Sequence, residues 1–230
     1  MIGESTSHIV LPERVRYIAV EGVIGAGKTS LARMLAAHFG AKLVLEEFEE
    51  NPFLPLFYSD PKRWAFQTQL AFLANRFRQQ KNLATGDLFH QTTIADYTFD
   101  KDRVFAHVTL QGDELGLYEN LFSLMEANAP VPDLVVYLQS SVDRLMHNIT
   151  KRGRSYEKNM DRSYIAELVE SYNSYFFKYY KSPLLIINVS RLDFVNEPEH
   201  FEELVHQVAR VPSGTTHFNP PSSMQLDFGI

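Results

Sequence analysis

Residues 17–34 read Tyr17-Ile18-Ala19-Val20-Glu21-Gly22-Val23-Ile24-Gly25-Ala26-Gly27-Lys28-Thr29-Ser30-Leu31-Ala32-Arg33-Met34. Gly22 to Thr29 fits G-x-x-x-x-G-K-[ST] at every fixed position. The flanks suit the motif. Tyr17-Ile18-Ala19-Val20 is a short apolar run of the kind a buried strand uses, and Ser30 to Ala37 has helical character. A loop joining such a strand to such a helix turns successive backbone N–H groups and a helix N-terminus toward one point, an anion hole for polyphosphate. Its glycines let the backbone approach closely, Lys28 reaches the β- and γ-phosphate oxygens, and the Thr29 hydroxyl can ligate Mg²⁺. Gly22, Val23, Ile24, Gly25, Ala26, Gly27, Lys28, Thr29 and Ser30 are therefore the candidate phosphate cradle, and they imply a nucleoside triphosphate as ligand.

Composition bounds the rest. A chain of 230 residues that is 45% apolar can bury a full core, and one large domain is expected. A net charge of −6 argues against nonspecific nucleic-acid binding, which needs a basic surface, but permits a small anion in a local basic pocket. With no cysteine, disulfides, thiolate metal sites and thiol nucleophiles are excluded. The first residues, MIGESTSHIVLPERVR, carry no apolar secretory core, and Glu4 and Glu13 weigh against a transit peptide. No apolar run approaches membrane-spanning length. The expected setting is the cytoplasm, with neither nucleic acid nor membrane as partner.

Outward from the cradle, residues 1–14 read as a flexible leader, 15–211 as the working domain and 212–230 as a Pro/Ser/Gly-rich tail. Lys42 to Leu45, Gln91 to Asp96, Asp133 to Leu138 and Leu184 to Asn188 are further strand candidates. Asn51-Pro52 and Leu54-Pro55 break the chain into loop or short helix. Arg63 to Leu83 is helical in period, with Phe66, Leu70, Leu73 and Phe77 on one stripe and Gln69, Phe72 and Arg76 on the next. Residues 112–127, a helix opened by Ser141 and running to the basic cluster Lys151-Arg152-Gly153-Arg154, an aromatic helix over 161–180 ended by Pro183, and a last amphipathic helix complete the reading. Short apolar strands alternating with helices predict an α/β fold: a parallel sheet of about five strands covered on both faces, with chemistry beyond the strand C-termini.

Two strand ends each deliver a carboxylate to the edge that carries the cradle, Glu46 and Asp96. Phosphoryl transfer to a hydroxyl needs one carboxylate to accept the hydroxyl proton and another to manage the metal. Thr29, Glu46 and Asp96 are thus the candidate Mg²⁺ residues. The N-K-x-D and D-x-x-G patterns of a GTPase are not evident.

The ordered pieces resemble the deoxynucleoside kinases of the deoxycytidine, deoxyguanosine and deoxyadenosine type, bacterial-like, from about Tyr17 to Glu199. They are the cradle, Leu45-Glu46-Glu47-Phe48-Glu49-Glu50-Asn51-Pro52, Tyr58-Ser59-Asp60-Pro61-Lys62-Arg63-Trp64, Phe66-Gln67-Thr68-Gln69 with Arg76, Asp96 with Asp102, and Arg152-Gly153-Arg154-Ser155-Tyr156-Glu157. The resemblance implies a P-loop fold with an arginine-rich lid, and ATP-dependent 5′-phosphorylation of a deoxynucleoside, purine-preferring or broad, for nucleoside salvage. Glu46 would be the general base on the 5′-hydroxyl, and Gln69 would bond the nucleobase edge. Tyr58 and Glu157 would take the 3′-hydroxyl, Arg76 and Asp102 would read a cytosine or purine base, and Arg152 and Arg154 would form the lid. The resemblance also implies a homodimer, with the aromatic helix as one candidate contact. Trp64 and Phe72 fit core packing better than base stacking.

One departure stands out. The family usually carries Asp/Glu-Arg-Ser after the third strand, where the arginine serves the 5′-hydroxyl and the glutamate; here the stretch is Asp96-Tyr97-Thr98. Lys101 or Arg103 could supply the missing charge, or the site handles Glu46 differently. The rival readings are a nucleoside monophosphate kinase of the thymidylate type, which needs a basic site for the acceptor phosphate, and a non-catalytic nucleotide-binding module.

Overall fold

The computed structural model describes residues 9–84 and 90–228. Residues 1–8 of the expected leader and 229–230 of the expected tail lie outside that range. The strands β1 (Tyr17–Gly22), β2 (Lys42–Val44), β3 (Thr93–Ala95), β4 (Leu134–Gln139), β5 (Leu184–Asn188) and β6 (Thr215–Phe218) form one parallel sheet. Their order is β2-β3-β1-β4-β5-β6. Ile18 pairs with both Ile94 and Leu134, which fixes β1 between β3 and β4. Every residue of β1 is buried, as a parallel strand covered on both faces must be. The chain places β2 and β3 on one side of β1 and then crosses to β4 on the other. That reversal opens a crevice at the C-terminal edge of the sheet, where open α/β folds bind ligands.

The helices are α1 (Lys28–Phe39), α2 (Leu54–Ser59), α3 (Pro61–Ala84), α4 (Lys101–Thr109), α5 (Gly112–Glu126), α6 (Val142–Arg152), α7 (Arg162–Phe177) and α8 (Pro198–Arg210). Two cores hold them. The larger joins the sheet to α1, α6, α7 and α8 through residues such as Val20, Leu35, Val136, Ile149, Leu168 and Leu204. The smaller packs α2 to α5 on one another through Phe57, Leu73, Ala106, Leu110, Tyr118 and Phe122. The smaller core sets the acceptor wall of the crevice, because α3 and α4 project their polar residues from it.

Three features differ from the sequence expectation. The sheet has six strands, because Thr215–Phe218 pairs beside β5 within the stretch read as tail. Helix α4, which sequence did not single out, begins four residues after Tyr97. Helix α7 stops at Phe177, short of Pro183, where the Lys178 N–H turns back onto the last carbonyls. Ser141 does cap α6, its hydroxyl accepting the Arg144 N–H at 3.3 Å. Among the described residues no helix is long and apolar enough to cross a membrane.

Candidate active site

The cradle leaves β1 at Gly22 and enters α1 at Lys28. Gly25 and Gly27 both sit at positive φ, 86° and 94°. A Cβ on Gly25 would lie 2.8 Å from the Leu145 carbonyl oxygen, and one on Gly27 would lie 2.9 Å from the Phe194 ring. Only glycine fits both conditions at either position. Gly27 makes no side-chain cap for α1, so the first N–H groups of that helix remain available to phosphate. The Asn148 amide donates to the Gly25 carbonyl at 2.8 Å and braces the loop from α6. Lys28 Nζ donates to the Val23 carbonyl at 3.1 Å. Burial, and then the neighbouring Lys101 cation, lower the Lys28 ammonium to about 8.

Asp96, just past β3, ties the cradle to the acceptor side. Its Oδ2 accepts the Thr29 hydroxyl at 2.5 Å and its Oδ1 accepts the Glu46 N–H at 2.8 Å. Thr29 and Asp96 therefore present a hydroxyl and a carboxylate together. Glu46, the third expected metal residue, has both oxygens engaged by cations. Oε1 accepts Arg76 Nε at 2.9 Å and Arg76 Nη2, while Oε2 accepts Lys101 Nζ. Burial works to raise the Glu46 carboxyl, but Arg76 and Lys101 outweigh it and hold that carboxyl well below the usual carboxylate range. Among the described residues, no group of three or more His, Cys, Asp or Glu converges to hold a metal alone.

Arg76 also pairs through Nη1 with Asp102, which lies fully buried behind it and does not line the cleft. Its guanidinium stands over Phe72, 4.8 Å from the ring centre. Gln69 donates its amide to Thr109 Oγ1 at 3.0 Å, and its carbonyl Oε1 is buried with no hydrogen-bond partner among the described residues. An unpaired buried acceptor is costly, and on the wall of a cleft it is suited to a donor from a ligand. Tyr58 stacks on Tyr156 at 5.7 Å. Just after α6, Glu157 accepts Arg152 at 2.7 and 2.8 Å and lies 3.6 Å from Arg154, whose guanidinium covers the Phe48 ring.

These groups converge. Lys28, Thr29, Glu46, Tyr58, Gln69, Arg76, Asp96, Arg152, Arg154 and Glu157 line one cavity of about 110 Å³. A second cavity of about 600 Å³ lies along Gly25–Ser30 and shares Lys28, Thr29, Glu46, Asp96, Arg152 and Arg154 with the first. The two arginines thus stand over the junction of a polyphosphate side and an acceptor side. Trp64 does not line either cavity; it stacks on Phe53 at 5.9 Å.

Several site residues carried no local signal. Glu21 is fully buried beneath the cradle, its Oε1 accepting the Thr98 N–H at 2.6 Å and the Thr98 hydroxyl at 3.1 Å, its Oε2 the Gly22 N–H at 3.1 Å. Phe194, with Leu192 and Val195, lines the larger cavity, as does Arg144, which lies 3.5 Å over the Phe228 ring. Of the two cations weighed for the gap at Tyr97, Arg103 points outward to Glu119 at 2.9 Å, whereas Lys101 reaches Glu46. A Ser-x-x-Asp or glycine pattern announces none of these.

Residues 18–212 match the family model described as deoxynucleoside kinase. A deoxyguanosine kinase of Bacillus subtilis (strain 168) is 36% identical over 199 residues, which cover 84% of this chain and 95% of that protein. A deoxyadenosine/deoxycytidine kinase of the same organism is 32% identical over 203 residues, covering 84% and 92%. Among solved structures, the deoxyadenosine kinase from M. mycoides shares the fold with a TM-score of 0.74 at 24% identity, over 85% of this chain and 100% of that one. The match over most of the chain, on a cleft that joins a phosphate cradle to a buried acceptor wall, makes this protein a member of the deoxynucleoside kinase family.

Proposed function

We propose that the protein moves the γ-phosphoryl group of ATP to the 5′-hydroxyl of a deoxyribonucleoside, purine-preferring or broad in base, in nucleoside salvage. One observation carries the reading: Lys28 of the cradle and Glu46 of the acceptor wall border the same cavity, with Gln69 and Arg76 beyond Glu46. The 5′-hydroxyl sits against Glu46, which stays ionised and accepts its proton late in a loose transfer. Gln69 offers its unpaired carbonyl, and Arg76 its guanidinium, to the base edge, while Asp102 keeps Arg76 in place. Tyr58 and Glu157 hold the 3′-hydroxyl. Arg152 and Arg154 turn from Glu157 and Phe48 to the transferring phosphoryl, where charge spreads over its equatorial oxygens. Magnesium, which Thr29 and Asp96 would hold, would supply charge neutralisation of the polyphosphate. The names of the relatives support a purine, since deoxyguanosine and deoxyadenosine kinases are among them.

A monophosphate kinase fits less well. Its acceptor phosphate needs uncommitted positive charge, and Arg76 and Lys101 are already paired with Glu46 and Asp102. The exposed Phe177 and Tyr180 at the end of the aromatic segment are candidate contacts for a homodimer, which light scattering of the purified protein would report. Initial rates with ATP and each deoxynucleoside, beside each 5′-monophosphate, test the main reading. Transfer to deoxynucleosides, fastest for purines, is expected; transfer to monophosphates alone would assign the protein to the other reaction.

A further inference from the structure

We infer that Lys101 is a catalytic residue of this reaction, the cation that pins the acceptor hydroxyl to Glu46 and meets the arriving phosphoryl group together with Lys28. The inference rests on the deoxynucleoside reading above and adds to it a residue from the first turn of α4 rather than from the motif position after β3.

The placement is built step by step from buried contacts. Where the related motif has an arginine, Tyr97 turns its ring into a small cluster with Tyr17, Ala19 and Ala95, and its fully buried hydroxyl has no hydrogen-bond partner among the described residues. Tyr97 therefore gives Glu46 neither a hydrogen bond nor a positive charge. The next residue, Thr98, is anchored by Glu21 through its N–H and its hydroxyl, which fixes the start of the turn into α4. Lys101 opens that helix, only 7% exposed, and its ammonium reaches Glu46 Oε2.

Its pairing is also simpler than that of Arg76. Arg76 answers to Glu46, to Asp102 and, in the proposed reaction, to the base edge. Lys101 has Glu46 as its ion-pair partner among the described residues, and it borders the same cavity as Lys28, Thr29 and Asp96. When Arg76 turns to the base, Lys101 remains as the cation at Glu46. In the transfer, the bond from the 5′-oxygen to the γ-phosphorus forms and the bond from that phosphorus to the bridging oxygen breaks. The electron pair leaves with ADP, and the hydroxyl proton passes to Glu46. An ammonium beside both the hydroxyl oxygen and the equatorial phosphoryl oxygens stabilises that charge distribution more than the ground state.

The test compares purified Lys101→Met, Lys101→Gln, Lys101→Arg and Arg103→Ala with the parent. For Lys101→Met, kcat should fall about 10²–10³-fold, with the KM for ATP within about threefold of the parent. Lys101→Arg should recover most of that loss, and Arg103→Ala should behave as the parent. Lys101→Gln, which keeps a donor but no charge, gives the same readout should Lys101→Met fail to fold. An active parent whose Lys101→Met and Lys101→Gln variants keep the parent's kcat overturns the role of Lys101 alone. A parent that phosphorylates no deoxynucleoside overturns the reading on which it stands.

Discussion

The two walls of the cleft are made of different materials. The donor wall is mostly backbone: a glycine loop at positive φ, a helix N-terminus, and Asn148 bracing a carbonyl. The acceptor wall is mostly side chain: Glu46 is ion-paired to Arg76 and Lys101, and Asp102, buried behind the wall, pairs with Arg76. A backbone site depends on local conformation and tolerates change outside the loop. A buried ionic site is tightly coupled, since removing one partner strands the charge of the other. Changes to the acceptor wall should therefore act mostly on turnover and selectivity, and changes to the donor wall on nucleotide binding and on the loop itself.

The largest effect tests the acceptor wall. Glu46→Gln should lower kcat by about 10²–10⁴ while deoxynucleoside binding, followed by calorimetry, stays close to that of the parent. Next comes Gln69→Leu, which keeps the volume and removes both the Thr109 contact and the free carbonyl. A site built to bond a base edge should then lose about 1–3 kcal/mol of transition-state binding, seen as a higher deoxynucleoside KM with the ATP KM unchanged. On the donor wall, Gly25→Ala forces a side chain against the Leu145 carbonyl at positive φ and should cost about 1–3 kcal/mol of stability in a denaturant melt. It should also weaken ATP binding more than deoxynucleoside binding.

A smaller effect separates the walls by pH. Lys28, lowered to about 8, is cationic below that value and loses its charge above it, so kcat/KM for ATP should decline as pH rises through about 8. Glu46, held ionised by its cations, should impose no acid limb near neutrality. The least effect is expected away from both walls. The pair of Arg78 with Glu50 at 2.5 Å is half exposed, and Arg78→Ala should shift stability by about 0.2–1 kcal/mol.

The same contrast governs how much of the molecule the sequence discloses. Strand β1, the cradle and α1 are legible because their signals are contiguous: an apolar run, fixed glycines and a helical period within eighteen residues. The acceptor wall has no such signature. Arg76 meets Glu46 from 30 residues away and Lys101 meets it from 55, so only resemblance to a family puts Glu46, Arg76 and Asp102 together, and it does not reach Lys101. Helix α4 escapes notice for a related reason. Its first turn, Lys101-Asp102-Arg103, looks like solvated charge, yet Lys101 and Asp102 are buried, which inverts the usual reading of polarity as exposure. Strand β6 is hidden differently: Thr215, Thr216 and His217 are exposed at a sheet edge and offer no apolar run. Tyr97 shows the limit of motif transfer, since the charge expected at its position arrives from the first turn of the next helix.

Which hydroxyl meets Glu46 is decided most directly by ³¹P NMR of the product formed from deoxyguanosine and ATP. A single phosphate resonance coupled to the two 5′ protons is the predicted spectrum. Coupling to the lone 3′ proton, or a monoester signal that survives undiminished in Glu46→Gln, would contradict the geometry proposed for this cleft.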